Sequence, residues 1–171
     1  EKNNVFPMFF NCSEPSIMWS KKPITSIEQI KGLRIRAPES MGFAFDLMGA
    51  SVSALPPGEI YEALQRNTLD ATLQPFNLGA ATKYQEVAPY ITDIGFGPGN
   101  TMPFLCNLDK WNSFPQKLRD ILLECGKLAE EATITLTNQN NLALIPAFLA
   151  EGGKAVPNTE QLRKEFDVGS L

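Results

Sequence analysis

The chain has 171 residues, of which 43% are hydrophobic and 20% charged, and its formal net charge is −4. These values are typical of an ordinary globular core of one domain, or one and a half. The acidic balance excludes the nucleic-acid-binding classes, which need a basic face. No apolar run approaches the ~20 residues of a membrane span. The lack of histidine removes the commonest general base and most zinc sites.

The three cysteines, Cys12, Cys106 and Cys125, are widely spaced, which fits neither a disulfide framework nor a metal clip. We expect them to be small buried hydrophobes. A single disulfide between Cys12 and Cys106 stays open as the alternative in an oxidising compartment. Glu14, Glu39 and Glu59 could be paired as a general acid and a general base, but no nucleophile, metal cluster or glycine-rich phosphate loop accompanies them. We therefore expect that the protein is not an enzyme and that it binds no cofactor and no metal.

Short strand and helix patterns alternate through the first two thirds of the chain. A capping box of Ser26 and Gln29 predicts a helical turn that ends at Gly32. Because strands alternate with helices, we expect an α/β sheet built from crossover units. The predicted strands are 5–11, 17–20, 33–36, 51–54, 69–73, 91–96 and 102–107, and the predicted helices are 41–48, 59–65 and 78–87.

A long helical pattern fills most of the last third. Ser113 and Gln116 form a second capping box, and the helix is predicted to run from Gln116 to about Glu151. Pro146 should bend it, because proline removes one backbone hydrogen bond and clashes with the preceding turn. A short strand at 154–156 and a last helix at 159–166 are predicted to follow. A helix of this length is too long for one compact crossover, so we expect it to span two lobes.

Arg36 is the candidate functional residue that the residue pattern itself indicates. It ends a predicted strand just before Ala37 and Pro38, and the proline biases its predecessor toward extended geometry. The carboxyl end of a strand in an α/β sheet faces the crevice where such folds bind ligands. A guanidinium there suits two-point binding of a carboxylate. Arg34 lies two residues back on the same face, and we interpret it as structural.

Four segments together resemble a known family. They are SKKPITSIEQIKGLRIRAPES, LMGASVSALPPGEIYEALQRNTLDA, KYQEVAPYIT and LDKWNSFPQKLRDILLE. Their order and spacing are similar to those of the substrate-binding proteins of tripartite ATP-independent periplasmic (TRAP) transporters, the DctP type. The resemblance implies a periplasmic-binding-protein-like α/β lobe with a short mixed sheet flanked by helices, plus a long kinked helix that spans the lobes.

The same resemblance implies a function and a domain organisation. We expect a periplasmic solute-binding protein that captures a small organic acid by its carboxylate and delivers it to the TRAP permease subunits in the membrane. Members of the family are longer, so we expect a C-terminal fragment that lacks most of the first lobe. Its predicted parts are an α/β ligand-binding lobe with hinge strands at 1–107 and a helical part at 108–171.

The resemblance also suggests ligand-site residues on the main strands. Arg36 matches the family arginine that pairs with the ligand carboxylate. Gln74 falls where relatives place a ligand-facing side chain, and Phe76 and Asn77 beside it are expected to line the pocket. Trp19 lies near a tryptophan of relatives that bind keto-acids. The alternatives are that Gln74 is a turn residue and that Trp19 packs at a hinge.

Three further polar residues are weaker candidates. Glu39 and Ser40 open the helix after Arg36, where backbone N–H groups suit an anion. Glu14 is unusual in a site for acids, and it would meet a ligand amine or a bridging metal.

Two other possibilities remain open. The chain is alternatively an isolated α/β lobe that acts as a sensor or interaction domain without transport. The apolar segments 5–10 and 142–149 are expected to be left exposed, which predicts self-association as a homodimer.

Overall fold

The computed structural model describes residues 3–12, 14–94 and 101–157, without the side chains of Cys12 and Ser40. The predicted helix at 159–166 and the end of the strand predicted at 91–96 lie outside these residues. The chain divides into two compact units. Unit 1 comprises Glu1–Glu14 and Pro98–Asn140, and unit 2 comprises Pro15–Gly97 and Asn141–Leu171. The division predicted at residue 107 stays a prediction.

Eight strands and five α-helices are described. The strands are β1 (Val5–Cys12), β2 (Ser16–Ser20), β3 (Arg34–Arg36), β4 (Ser51–Ser53), β5 (Ala71–Pro75), β6 (Tyr90–Thr92), β7 (Thr101–Asn107) and β8 (Lys154–Ala155). The helices are α1 (Glu39–Leu47), α2 (Ile60–Gln65), α3 (Phe76–Ala81), α4 (Leu108–Ser113) and α5 (Gln116–Ala150).

Unit 1 contains the antiparallel pair β1 and β7, together with α4 and the first part of α5. Aromatic rings stabilise this pair: Phe9 stacks on Phe104, and Phe6 stacks on Trp111, with centroids 4.2 Å apart in both cases. Trp111 is buried and contributes to the core of this unit. It lies in the short helix α4, which precedes the long helix and was not predicted from the sequence.

The pairing of β1 with β7 excludes the disulfide between Cys12 and Cys106 that the sequence left open. Cys106 lies opposite Phe6, whereas Cys12 lies opposite Thr101 at the other end of the ladder. Five residues of strand separate those ends by about 17 Å, and a disulfide needs Cα atoms within about 7 Å. Cys106 is accordingly a free thiol, and Cys125 is also free and is exposed rather than buried.

Unit 2 is built on a six-stranded mixed sheet in the order β4-β3-β5-β2-β6-β8. Strand β3 runs parallel to β4 and β5, whereas β2 is antiparallel to β5 and β6, and β8 pairs in parallel with β6. Alternating side chains create a core on each face. Met18, Ile35 and Leu73 belong to one core, and Trp19 and Tyr84 belong to the other. This mixed sheet with flanking helices is the fold class predicted from the sequence.

Neither predicted capping box forms. Ser26 precedes a 3₁₀ turn but makes no capping bond, and Gln29 Oε1 accepts from the backbone N–H of Thr25 at 2.7 Å. Ser113 is the last residue of α4, and its hydroxyl donates to the carbonyl of Lys110 at 2.7 Å. Gln29 and Ser113 therefore bond to backbone groups other than those that the capping-box pattern assigns to them.

The helix predicted at 78–87 is two shorter pieces. Helix α3 ends at Ala81, and a 3₁₀ turn spans Tyr84–Glu86. Between them Lys83 has φ 61°, in the left-handed region, which a continuous right-handed helix excludes. The strand predicted at 69–73 is observed at Ala71–Pro75, so Gln74 lies inside β5 and not in a turn.

The long helix forms as one continuous element with Pro146 inside it. Its predicted extent is confirmed, and its bend stays a prediction. Among the helices that the structure describes, none is both long and apolar enough to cross a membrane.

Arg34 has the structural role that we predicted. Its Nε and Nη2 donate to the two carboxylate oxygens of Asp70 at 2.9 and 2.8 Å, and its backbone N–H donates to Asp70 Oδ2 at 2.9 Å. This fork, aided by electrostatic attraction to Arg34 and Lys21, lowers the pKa of Asp70. The pair joins the starts of β3 and β5.

We expect the Arg34–Asp70 pair to make the free energy of unfolding depend on pH in the acidic range. Because the pKa of Asp70 is lower in the folded state, its contribution is present above the ordinary carboxyl pKa and is lost as the pH falls through the folded value. Asp70→Asn should lower the unfolding free energy by about 1 kcal/mol at pH 7, and the difference from wild type should shrink toward pH 3. Urea titrations at several pH values measure it. Asp46→Asn, at an exposed carboxylate of α1, is the control, and a pH-independent difference would contradict the argument.

Candidate functional site

Arg36 lies at the carboxyl end of β3, in a row of side chains that crosses the sheet. It is in register with Ser53 on β4 and with Thr72 on β5, and Thr72 is in register with Trp19 on β2. Register partners project to the same face of a sheet. The preceding residue, Ile35, faces the opposite core. Arg36 therefore shares its face with Trp19 and Tyr84.

Neutral groups hold the Arg36 guanidinium. Nε donates to the carbonyl of Leu55 at 2.9 Å, and Nη1 makes a long bond of 3.4 Å to the carbonyl of Leu73. Burial lowers the pKa of Arg36, and electrostatic interaction with Tyr84 raises it in part. An arginine pKa remains far above neutrality under such influences. The side chain thus carries its positive charge in a half-buried place, where the acceptors that the structure assigns to it have no formal charge.

Two buried hydroxyl groups flank this charge. Thr72 Oγ1 and Ser53 Oγ have no hydrogen-bond partner among the residues described by the structure, and Thr72 has no accessible surface. Buried polar atoms of this kind are rare in proteins and often mark functional places. Sequence reasoning missed both residues. Because side chains alternate along a strand, Thr72 could have been assigned to the same face as Gln74 from the sequence. No local sequence pattern predicts the strand register that brings Ser53 beside Arg36.

Gln74 and Phe76 lie where β5 meets α3, and Asn77 follows on the helix. Gln74 is 5% exposed, and its carbonyl accepts from Trp19 Nε1 at 3.3 Å. Phe76 and Asn77 are half-buried. Because alternation puts Gln74 on the face of Thr72 and Arg36, the structure brings these predicted residues to one end of the sheet. Ligand contact by each of them stays a prediction.

Trp19 lies beneath this end of the sheet and has no accessible surface. Its ring stacks parallel to Phe76 at 6.0 Å and meets Tyr84 and Phe148 edge-on at 5.8 and 5.7 Å. This arrangement favours the packing role that we gave as the alternative. Tyr84, which the sequence did not single out, belongs to this aromatic cluster and interacts electrostatically with Arg36.

The remaining candidates are placed differently. Glu39 is the exposed first residue of α1, directly after Arg36, Ala37 and Pro38. The Ser40 side chain lies outside the described residues. Glu14 belongs to unit 1, whereas the Arg36 row belongs to unit 2. Within the described ranges, no three His, Cys, Asp or Glu side chains form a group that would hold a metal ion.

Comparison with known proteins identifies relatives over nearly the whole chain. The family described as "Bacterial extracellular solute-binding protein, family 7" (DctP) matches residues 9–168. The monocarboxylate 2-oxoacid-binding periplasmic protein all3028 of Nostoc sp. is 32% identical over 160 residues, which are 88% of this chain and 43% of that protein.

Solved structures agree with this relationship at the level of the fold. The ectoine-binding protein of the TeaABC TRAP transporter in its apo state has a TM-score of 0.89 at 18% identity, covering 96% of this chain and 55% of that one. DctP7, an extracytoplasmic solute receptor of Bordetella pertussis that binds pyroglutamic acid, has a TM-score of 0.82 at 22% identity, covering 96% and 55%. The chain thus spans about half the length of the relatives it matches.

These matches agree with the fold and with the expectation of a binding protein that acts outside the cytoplasm and is not an enzyme. The family match covers far more than half of the sequence. The chain therefore belongs to the DctP family of bacterial extracellular solute-binding proteins.

Proposed function

We propose that this protein binds a small organic acid whose carboxylate pairs with Arg36. The observation that carries the proposal is the guanidinium itself, which is half-buried at a strand end and bonded to two neutral carbonyl groups. A partly desolvated cation of this kind gains most from an anionic partner, and the planar fork of arginine fits the two oxygens of a carboxylate.

The surroundings of Arg36 favour an acid with one carboxylate and a small uncharged remainder. The neighbours of Arg36 in the structure are uncharged: Thr72 and Ser53 carry hydroxyls, Gln74 carries a neutral amide, and Phe76 is a half-buried aromatic ring. A second carboxylate would have to be desolvated there, which costs free energy unless another cation meets it. An oxo, amide or hydroxyl oxygen next to the acid group would instead find neutral hydrogen-bonding partners.

The named relatives support this class of ligand. The Nostoc protein is described as binding monocarboxylate 2-oxoacids, and the Bordetella receptor binds pyroglutamic acid, which is also a monocarboxylate. A related protein of Rhodoferax ferrireducens binds malonate, so dicarboxylates occur among the relatives as well. The choice between the two classes is what an experiment has to decide.

We further propose that the captured acid passes to a TRAP-type membrane permease, in agreement with the transporter named for the ectoine-binding relative. The alternative of a sensor or interaction domain is not favoured by any relative described above. The predicted homodimer has no support from them either. The apolar residues on which that prediction rested, among them Phe10, Leu142 and Leu149, are exposed in the single chain.

A panel of acids tests the ligand class. We expect pyruvate and pyroglutamate to raise the melting temperature by about 5–10 °C near a hundredfold excess over Kd. Pyruvamide, which has the shape of pyruvate without its charge, should have no effect. A shift with malonate alone would overturn the monocarboxylate proposal, and no shift with any acid would overturn the function.

A further inference from the structure

Polar contacts on one carboxylate tie the end of α5 to the segment after α3. Gln85 Nε2 donates to Glu151 Oε2 at 2.6 Å, and Lys83 Nζ lies 3.8 Å from Glu151 Oε1. Glu151 follows directly on the last residue of α5. Gln85 is 4% exposed, whereas the Glu151 side chain is 38% exposed, so the bond is partly shielded from water, and a charge-assisted hydrogen bond in such a place is stronger than one fully at the surface.

The network of polar contacts extends to α2, although Lys83, which takes part in it, has an unfavourable backbone conformation. Lys83 Nζ lies 3.7 Å from Glu86 Oε1, and Glu86 Oε2 accepts from the Tyr61 hydroxyl at 2.6 Å. Lys83 keeps φ 61°, which costs free energy for a non-glycine residue and persists where surrounding contacts hold it. We call Lys83, Gln85, Glu86 and Glu151 the polar clasp.

The clasp lies next to the aromatic cluster beneath the Arg36 row. Phe148, three residues before Glu151, is 2% exposed and meets Trp19 and Phe76 edge-on at 5.7 and 5.5 Å. Trp19 in turn donates to the carbonyl of Gln74. The three rings thus form a continuous packed connection from the end of α5 to the end of β5.

We propose that Glu151 is a positioning residue for the ligand site. By bonding Gln85 and Lys83 it fixes the last turn of α5, so that Phe148 holds Trp19 and Trp19 sets the position of Gln74. Glu151 itself does not touch the ligand. The inference rests on the proposed function, because the site that it positions is the one proposed to take the acid.

The test uses Glu151 variants of the full chain in a Trp111→Phe background, since the chain has two tryptophans and Trp19 then reports alone. Glu151→Ala should weaken pyruvate binding by about threefold to tenfold and should change the near-ultraviolet circular dichroism of Trp19 without ligand. Glu151→Gln keeps an acceptor for Gln85 and should have a smaller effect. Glu124→Ala, at an exposed carboxylate within α5, should change neither readout.

A double-mutant cycle with Phe148→Leu separates positioning from stability. If Glu151 acts through Phe148, the double variant should bind pyruvate no more weakly than Phe148→Leu alone. Fold-changes that multiply would overturn the proposal, and so would an unchanged Trp19 signal and unchanged affinity in Glu151→Ala, even if that variant melts earlier. If the wild type binds no acid, the proposed function fails. The ligand-free Trp19 signal then decides whether the clasp positions the rings.

Discussion

Replacing Arg36 with alanine is expected to weaken binding of the acid by about 30-fold to 5,000-fold, the equivalent of about 2–5 kcal/mol for a desolvated charge pair. The loss is large because the carboxylate would remain in a partly buried place with neutral neighbours. Isothermal titration with pyruvate measures it, or with whichever acid of the panel binds best.

Two comparison variants make this result interpretable. Arg36→Lys keeps the positive charge but loses the planar fork and the bond from Nε to Leu55, so we expect a loss of about tenfold. Arg66→Ala removes an arginine of the same unit that is 73% exposed and paired with Glu62, and it should leave affinity unchanged. Equal affinity of wild type and Arg36→Ala, with both proteins folded by circular dichroism, would exclude Arg36 as the anchor.

The strand-end position of Arg36 and the extent of the long helix could be predicted from local sequence patterns. Proline after Arg36 and Ala37 marks a strand end in the sequence itself, and Gly152 and Gly153 mark the end of α5. Both signals depend on residues within a few positions of each other. The short helix α4 was missed although Asn107 caps it by accepting from the backbone N–H of Lys110. The stronger-looking pattern at Ser113 competed with that signal.

The rest of the site depends on contacts between distant residues. Ser53 and Thr72 flank Arg36 because β3 lies between β4 and β5, and strand order of this kind leaves no trace in periodicity. Tyr84 lies in a 3₁₀ turn directly after Lys83, whose left-handed conformation is incompatible with the continuous helix predicted at 78–87. Trp19 could be identified as an important aromatic residue, but whether it packs or meets a ligand is decided by its neighbours from three other elements.

Close packing around Trp19 leads to the second large effect, the expected destabilisation by Gly79→Ala. A Cβ atom at Gly79 would lie 2.3 Å from Trp19 Cε2 and 2.4 Å from Cζ2. The indole is completely buried, its N–H is bonded to Gln74, and rings cover it on several sides. It therefore has no free space into which to move.

Helix propensity and packing make opposite predictions for this substitution. Alanine is better than glycine inside a helix by about 1 kcal/mol, whereas overpacking a filled core costs about 1–3 kcal/mol and occasionally more. Because the contact is with a rigid, fully buried ring, we expect packing to prevail. The expected net loss is about 2 kcal/mol, or about 4–8 °C in Tm. Urea denaturation measures it, and Gly58→Ala, where no atom lies within 4 Å of the new Cβ, should change stability by less than about 0.5 kcal/mol. A Gly79→Ala protein as stable as the wild type would show that Trp19 can move, and the rigid support that we assign to Gln74 would then be wrong.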